Sequence, residues 1–319
     1  MSRYIIRRLI QAVLIIFVIT IVTFVVGRAA ADPMAAYTNN PRISAEDKAR
    51  IRHNLGLDQP LPVQYLSWLG GVVKGDFGNS FTTKQKVTDM IAERLPATLI
   101  LMICALITTV IVSLLAGIYA ATHQYSAGDN LITAATFVGF SMPVFFIGLS
   151  LIFIFGVGFK AWGLPYLPTG TAVWDQNNPI EWIKHLILPV ATLTLIQAAG
   201  YTRYLRSSLL DVQHQDYIRT AKSKGLSDRV VLWKHALKNA SLPFVTILGL
   251  DIALLFGGAL VTETIFSWPG IGRLFWEQSN AGDFPVMMAI LLIVSTMVVL
   301  GQIVVDVAYT FLDPRIKLA

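Results

Sequence analysis

Asp216-Tyr-Ile-Arg-Thr-Ala-Lys-Ser-Lys-Gly225, followed by Leu242-Pro243, lies between two strongly apolar runs near 186–205 and 244–266. A charged hairpin tied at both ends to membrane-length segments reads as a surface presented outside a bilayer. Asp216 can cap a helix over 217–224, and Gly225 suits the left-handed residue that ends one. Ser227 or Asp228 can open a second helix running to about Asn239. Tyr217, Thr220, Ala221 and Lys224 share one face of the first helix by their i, i+3, i+4, i+7 spacing. Thr220 and Ala221 are small, so a partner's groove could approach the backbone there. Val230, Trp233 and Leu237 are expected to pack the second helix onto the bundle. The residues alone leave an ordinary basic loop open as the alternative.

Outward from this hairpin the chain is built for lipid. Of its 319 residues 55% are hydrophobic and 14% charged, against about one quarter charged in a soluble domain. Six apolar stretches, near 9–27, 97–121, 132–157, 186–205, 244–266 and 285–307, are long enough to cross about 30 Å of hydrocarbon. Period-two alternation is absent, which argues against a β-barrel. The reading is an all-α membrane protein of six transmembrane helices. Its segments are a head and first span (1–30), an outer loop subdomain (31–96) and a five-helix core (97–319) containing the hairpin loop 206–243.

Lys and Arg set the orientation. Arg3, Arg7 and Arg8, the cluster Arg203 to Lys238, and Arg315 with Lys317 fall on one side; the short loops opposite hold only Lys160, Lys184 and Arg273. By the positive-inside bias both termini are predicted to be cytoplasmic, and the same bias accounts for the net charge of +6 without invoking nucleic acid. The turn at 121–131 has no Lys or Arg and decides nothing. The apolar run from Leu9 to Val26 exceeds the roughly 7–15 residues of a signal-peptide core, so the first segment reads as a span. With Cys104 the one cysteine, no internal disulfide can form.

Ser44 with Asp47 fits a capping arrangement for a helix over about 45–54 ended by Gly56. Pro60, Pro62, Gly70, Gly71, Gly75 and Gly78 are then expected to set turns around Tyr65, Trp68 and Phe77. In the membrane, Gly249, Ala253 and Gly257 form a small-residue stripe suited to close helix approach. Asp251 is an ionisable group at membrane depth and a candidate for the translocation path, as is Glu263. Pro143 and Gly148 interrupt the third span.

Catalytic chemistry is not apparent. No Gly-x-x-x-x-Gly-Lys-[Ser/Thr] phosphate cradle occurs, the five histidines are scattered, and no metal cluster or nucleophile elbow is found. An ion-coupled secondary transporter would call for an inverted repeat and aligned intramembrane carboxylates, and no clear repeat is seen.

Arg219-Thr-Ala-x-x-x-Gly225 resembles the EAA loop of ATP-binding-cassette (ABC) importer permeases. The string from Asp216 to Pro243 is similar to the dipeptide/oligopeptide permease family in particular. The general pattern begins with an acidic residue where this chain has Arg219, and Leu242-Pro243 comes late, a variant familiar among peptide permeases. Three further segments resemble that family: Gly56 to Ser80, Glu263 to Gly272, and Asp313-Pro-Arg315.

The resemblance implies the type I importer permease fold and a bacterial cytoplasmic-membrane location. It implies that Asp216, Tyr217, Arg219, Thr220, Ala221, Lys224, Gly225, Leu237 and Pro243 couple to an ATPase. It also implies an outer surface, with candidates Asp58, Tyr65, Trp68, Asp76 and Trp268, that meets an extracytoplasmic binding protein. The expected partners are a second homologous permease subunit, two ATP-binding-cassette ATPases and that binding protein. ATP and Mg would sit on the ATPases, and this chain would carry no cofactor. Peptides are the implied substrate, with nickel, glutathione or another small solute as alternatives.

Overall fold

The computed structural model describes residues 2–30, 34, 44–54, 56–170 and 179–312. Asp313-Pro-Arg315 lies outside them. Every regular element among the described residues is helical. They are α1 (Ser2–Ala30), α2 (Ala45–Asn54), α3 (Leu61–Val73), α4 (Val87–Thr122), α5 (Ala127–Ser141), α6 (Val144–Leu151), α7 (Pro179–Gln213), α8 (Asp216–Ser223), α9 (Asp228–Val230), α10 (Leu242–Leu254), α11 (Leu260–Ile265), α12 (Ile271–Ala281) and α13 (Phe284–Leu312). A π-helical turn, Ile152–Gly158, extends α6 to Ala161, and another, Val231–Ala236, carries α9 into Leu237–Ala240.

Among the described residues five helices are long and apolar enough to span: Ile6–Ala29, Val87–Thr122, Val144–Ala161, Pro179–Gln213 and Phe284–Val305. They correspond to five of the six expected spans. The predicted fifth, 244–266, is discontinuous: α10 gives way to a 3₁₀ turn at Leu255–Gly257, Gly258 takes φ +67°, and α11 begins at Leu260. Gly257-Gly258 supply no side chain to hold a helix and accept the left-handed conformation. The expected stripe of Gly249, Ala253 and Gly257 therefore does not run along one straight helix. The third span also breaks, at Met142-Pro143 between α5 and α6, where proline cannot continue the backbone hydrogen bonding.

α4 and α7, 36 and 35 residues long, would each measure about 50 Å at 1.5 Å per residue, more than a bilayer's hydrocarbon. Their ends therefore stand clear of it, and α7 leads directly into the hairpin.

By packing, the chain divides into one unit of 1–96 with 270–319 and another of 97–269. This division rests on compactness, a different basis from the three sequence segments. In the first unit Gly27 lies against Phe284 and Met288, so α1 and α13 run side by side. A second cluster there joins Val87, Met90 and Ile91 of α4 to Ile271 and Leu274 of α12 and Val286 and Ile290 of α13. In the second unit Leu101, Met102 and Leu193 surround Trp268. Gly117 lets α4 approach α7 closely, since a Cβ there would stand 3.0 Å from the Leu205 side chain.

Two expectations in the outer loop resolve differently. Ser44 does cap α2: its hydroxyl accepts from the Asp47 backbone N–H at 3.0 Å and donates to the Asp47 carboxylate at 2.8 Å. Gly75 and Gly78, at φ +78° and +79°, do turn the chain as expected, but the stretch from Pro62 to Gly71 is instead part of α3. Pro62 sits in its first turn, where no backbone donor is needed, and Gly70-Gly71 are carried within it. Asp76 makes the following turn, its carboxylate accepting from the Gly78 N–H at 2.9 Å.

Candidate functional site

The hairpin is a small packed unit seated on the ends of α4 and α7. Ile218 and Ala221 of α8, with Val231, Ala236 and Ala240, are buried against Ala121, Leu205 and Leu209. Gly225 takes φ +78° and its N–H reaches the Lys222 carbonyl at 2.9 Å, while Leu226 N–H reaches back to Ala221. That is the helix stop anticipated for Gly225. Asn239 donates to the Tyr217 hydroxyl at 3.1 Å and to the His235 carbonyl at 3.1 Å, tying the two arms together.

Most of the anticipated coupling residues lie on the outward face. Asp216, Tyr217, Arg219, Thr220, Lys224 and Gly225 are exposed, with Leu226, Val230 and Trp233 beside them. Arg219 with Asp216 at 3.8 Å and Lys222 with Asp228 at 3.3 Å are solvated pairs, of the kind contributing less than about 1 kcal/mol. Leu237 is partly buried in the hairpin core, and Pro243 lies in the first turn of α10.

Three details correct the sequence reading. Asp216 is the first helical residue of α8, after Gln215. Ala221 is 5% exposed and points into the bundle, so its small side chain serves packing within the chain. In the second arm Trp233 and Val230 face outward while Val231, Ala236 and Ala240 face in. The π-helical turn is the cause: its i→i+5 bonding rotates the inward set away from the α-helical register assumed from sequence.

A charged clasp beside the hairpin had no sequence signal. Asp129, just outside the predicted third span, is 2% exposed. It accepts from Arg206 of α7 in a two-point grip, Nε at 2.7 Å and Nη2 at 2.7 Å, and from the Tyr125 backbone N–H at 2.9 Å. Hydrogen bonds from Arg206 are the main cause that holds the Asp129 carboxyl down to about 2, against a burial effect that would raise it. The turn between α4 and α5 is thereby fixed to the helix that carries the hairpin. Under the hairpin, Thr122, His123, Lys222, Asp228 and Arg229 border a cavity of about 480 Å³.

The membrane candidates separate. Asp251 of α10 is partly exposed and accepts from the Tyr201 hydroxyl of α7, itself 4% exposed. Glu263 has no exposed surface and takes a hydrogen bond from Thr98 at 3.0 Å, so it braces α11 and lines no open passage in this conformation. Among the outer candidates, Trp268 is 1% exposed. Its indole N–H donates to the Ala97 carbonyl at 2.9 Å and its ring lies 5.1 Å from Trp182. It is a core residue rather than a docking contact, because the turn at Ser267 (φ +51°) directs the ring inward. Asp58 is exposed, and the hydrogen bond from His53 at 2.6 Å lowers its pKa. Tyr65 and Trp68 pack on Phe24, and Asp76 is exposed.

Known proteins match along almost the whole chain. Residues 113–318 fit the family described as binding-protein-dependent transport system inner membrane component, and 1–102 fit the N-terminal family of the same systems. The oligopeptide transport system permease protein AppB of Bacillus subtilis is 43% identical over 99% of this chain and 100% of its own length. The di/tripeptide permease DppB of Pseudomonas aeruginosa is 37% identical, covering 99% of each chain. The dipeptide permease DppB of Escherichia coli is 36% identical with the same coverage. A crystal structure of an amino acid ABC transporter with histidines superposes with a TM-score of 0.52 at 16% identity, over 69% of this chain and 93% of that one, a likeness of fold. Helices of spanning length, an exposed capped hairpin and these matches converge: the chain belongs to the family of inner-membrane components of binding-protein-dependent transport systems.

Proposed function

We propose that this chain is a permease subunit of an ABC importer that carries peptides across the bacterial cytoplasmic membrane. The observation that carries this reading is the hairpin of α8 and α9. Its inward face is locked to α4 and α7 and its outward face is left to solvent, on a chain whose full-length relatives are named as oligopeptide and dipeptide permeases. Tyr217, Arg219, Thr220 and Lys224 form the face that an ATPase cleft would receive, with Gly225 ending the helix so that it fits. Because Ile218 and Ala221 are packed against Leu205 and Leu209, a pull on α8 passes into α7 through close-packed side chains.

ATP and Mg would be bound and hydrolysed on two partner ATPases. A second homologous permease would complete the passage, and an extracytoplasmic binding protein would deliver the peptide. Both termini would be cytoplasmic, which places the hairpin on the ATPase side. The break at 255–259 fits a transport role, since non-helical backbone at membrane depth is tolerated where it is buried in protein or lines a cavity.

The test is peptide uptake by cells lacking the native system and supplied with the chain and its partners. Uptake of labelled di- to oligopeptides, competed by unlabelled peptide and not by nickel or free amino acids, supports the reading. Uptake of another solute class in place of peptides would overturn the substrate and leave the importer.

A further inference from the structure

α3, Leu61–Val73, contains no charged residue. It leaves Leu61, Leu66 and Val73 at 59%, 64% and 79% exposure. Its polar side chains are Ser67 and Gln64, whose amide is held by the Gln59 carbonyl at 2.6 Å, and an otherwise apolar exposed face belongs in a core or in lipid. Its inner side is fixed on α1: the Tyr65 and Thr20 hydroxyls lie 2.8 Å apart, and the Tyr65 and Trp68 rings stand 5.5 and 5.6 Å from Phe24. Phe24 and Thr20 lie four and eight residues before Arg28, so α3 sits about 6–12 Å below the Arg28 end of a spanning helix. At that depth the far side of α1 exposes Val18, Val22 and Val25, each more than half accessible.

Two hollows flank α3. An apolar groove of about 280 Å³ lies among Ile16, Leu69, Val72, Val73, Ile293 and Met297. A cavity of about 330 Å³ is bordered by Phe24, Arg28, Trp68, Phe77, Phe284 and Met288. The buried Nε of Arg28 has no hydrogen-bond partner.

We propose that α3 is an in-plane membrane helix, sunk into the leaflet at the Arg28 end, and that with Arg28 it holds one phospholipid. The acyl chains run along α3 and the phosphate pairs with the Arg28 guanidinium at the cavity's edge. Helices of this kind bury their apolar side about 5–10 Å into the headgroup boundary, and a guanidinium is suited to phosphate. A water-soluble binding protein stops at the headgroups, above this face, whereas an amphiphile matches both the aromatic walls and the single cation.

The experiment uses the assembled transporter in phosphatidylglycerol/phosphatidylethanolamine nanodiscs, in a Cys104→Ser background. Nitroxides are placed singly at the exposed positions Leu66, Val73 and, as a water-facing control, Asp58. The expected result is relaxation of the first two by oxygen over a soluble nickel chelate, with the opposite order at Asp58. Chelate access at Leu66 and Val73 equal to that at Asp58, or access by neither reagent because a protein partner covers the helix, would overturn the in-plane helix. Native mass spectrometry then compares assembled wild-type and Arg28→Gln complexes. Loss of one retained phospholipid in the variant is expected, and equal lipid counts contradict the phosphate site.

Discussion

Arg206 on α7 grips Asp129 at the start of α5 across 77 residues of sequence, two nitrogens on two oxygens at 2.7 Å each. The carboxylate is almost wholly buried, so the guanidinium is its main charge partner. Arg206→Ala is expected to destabilise by about 3 kcal/mol, the cost of leaving a buried charge uncompensated. Replacing both residues, Asp129→Asn with Arg206→Gln, should cost less than the single change. Thermal unfolding of the purified variants checks this, and additive losses would show that the pair is not coupled.

The same clasp sets a pH dependence. The Asp129 carboxyl is lowered in the folded state to about 2, below the ordinary carboxylate value of about 3.9. Its stabilisation is therefore present above the unfolded value and lost as pH falls through the folded one. The stability gap between wild type and Asp129→Asn should be flat from pH 7 to about 5, then narrow between about 4 and 2. A gap that narrows already near pH 6 would assign the effect to another group.

Ser80 and Asp283 form a second long-range tie, 2.5 Å between hydroxyl and carboxylate, and the same oxygen accepts from the Thr82 N–H and hydroxyl at 3.0 and 2.8 Å. Asp283→Ala would release three donors; unsatisfied buried groups cost about 1–3 kcal/mol. Limited proteolysis should then cut near 78–86 faster than in wild type. Unchanged cleavage would show that the loop holds without this anchor.

Trp268→Ala should lower stability by about 3–5 kcal/mol, as for other large core truncations. Because the ring is buried, it should do so whether or not a binding protein is present. A stable Trp268→Ala chain that selectively loses binding-protein affinity would restore the docking role.

Much of this architecture was legible. Apolar run length located five segments of spanning length, the third of them broken at Met142-Pro143, because hydrocarbon thickness leaves few alternatives. Asp216 and Gly225 bracketed α8 within a residue, because termination chemistry is local. What escaped was non-local or depended on phase. Neither Asp129 nor Arg206 looks special in its own segment, and Ser80 and Asp283 lie 203 residues apart. The π-helical turn at 231–236 shifts the buried face without a composition cue. Gly70-Gly71 signal turns by composition, although Leu, Trp and Val around them make an apolar helix once α1 offers Phe24. The inward placement of Ala221 and Trp268 required knowing what lay opposite them.

On the hairpin, Arg219→Glu and Thr220→Trp change exposed side chains only, so both proteins should insert and fold normally while transport-coupled ATP hydrolysis falls at least about tenfold, a loss of about 1.4 kcal/mol in coupling. Ala221→Glu should instead reduce the folded protein, because it places a charge in the Leu205–Leu209 contact. Normal uptake by Arg219→Glu and Thr220→Trp would remove α8 from the coupling route.

The most direct test of the central claim is purification of the tagged chain from its native membrane in mild detergent, with its companions identified by mass spectrometry. The account predicts a second multi-span permease and two ATPase copies in the complex, with the ATPase content lowered by Thr220→Trp while the second permease is kept. A chain that purifies with no ATPase at any stoichiometry would contradict it.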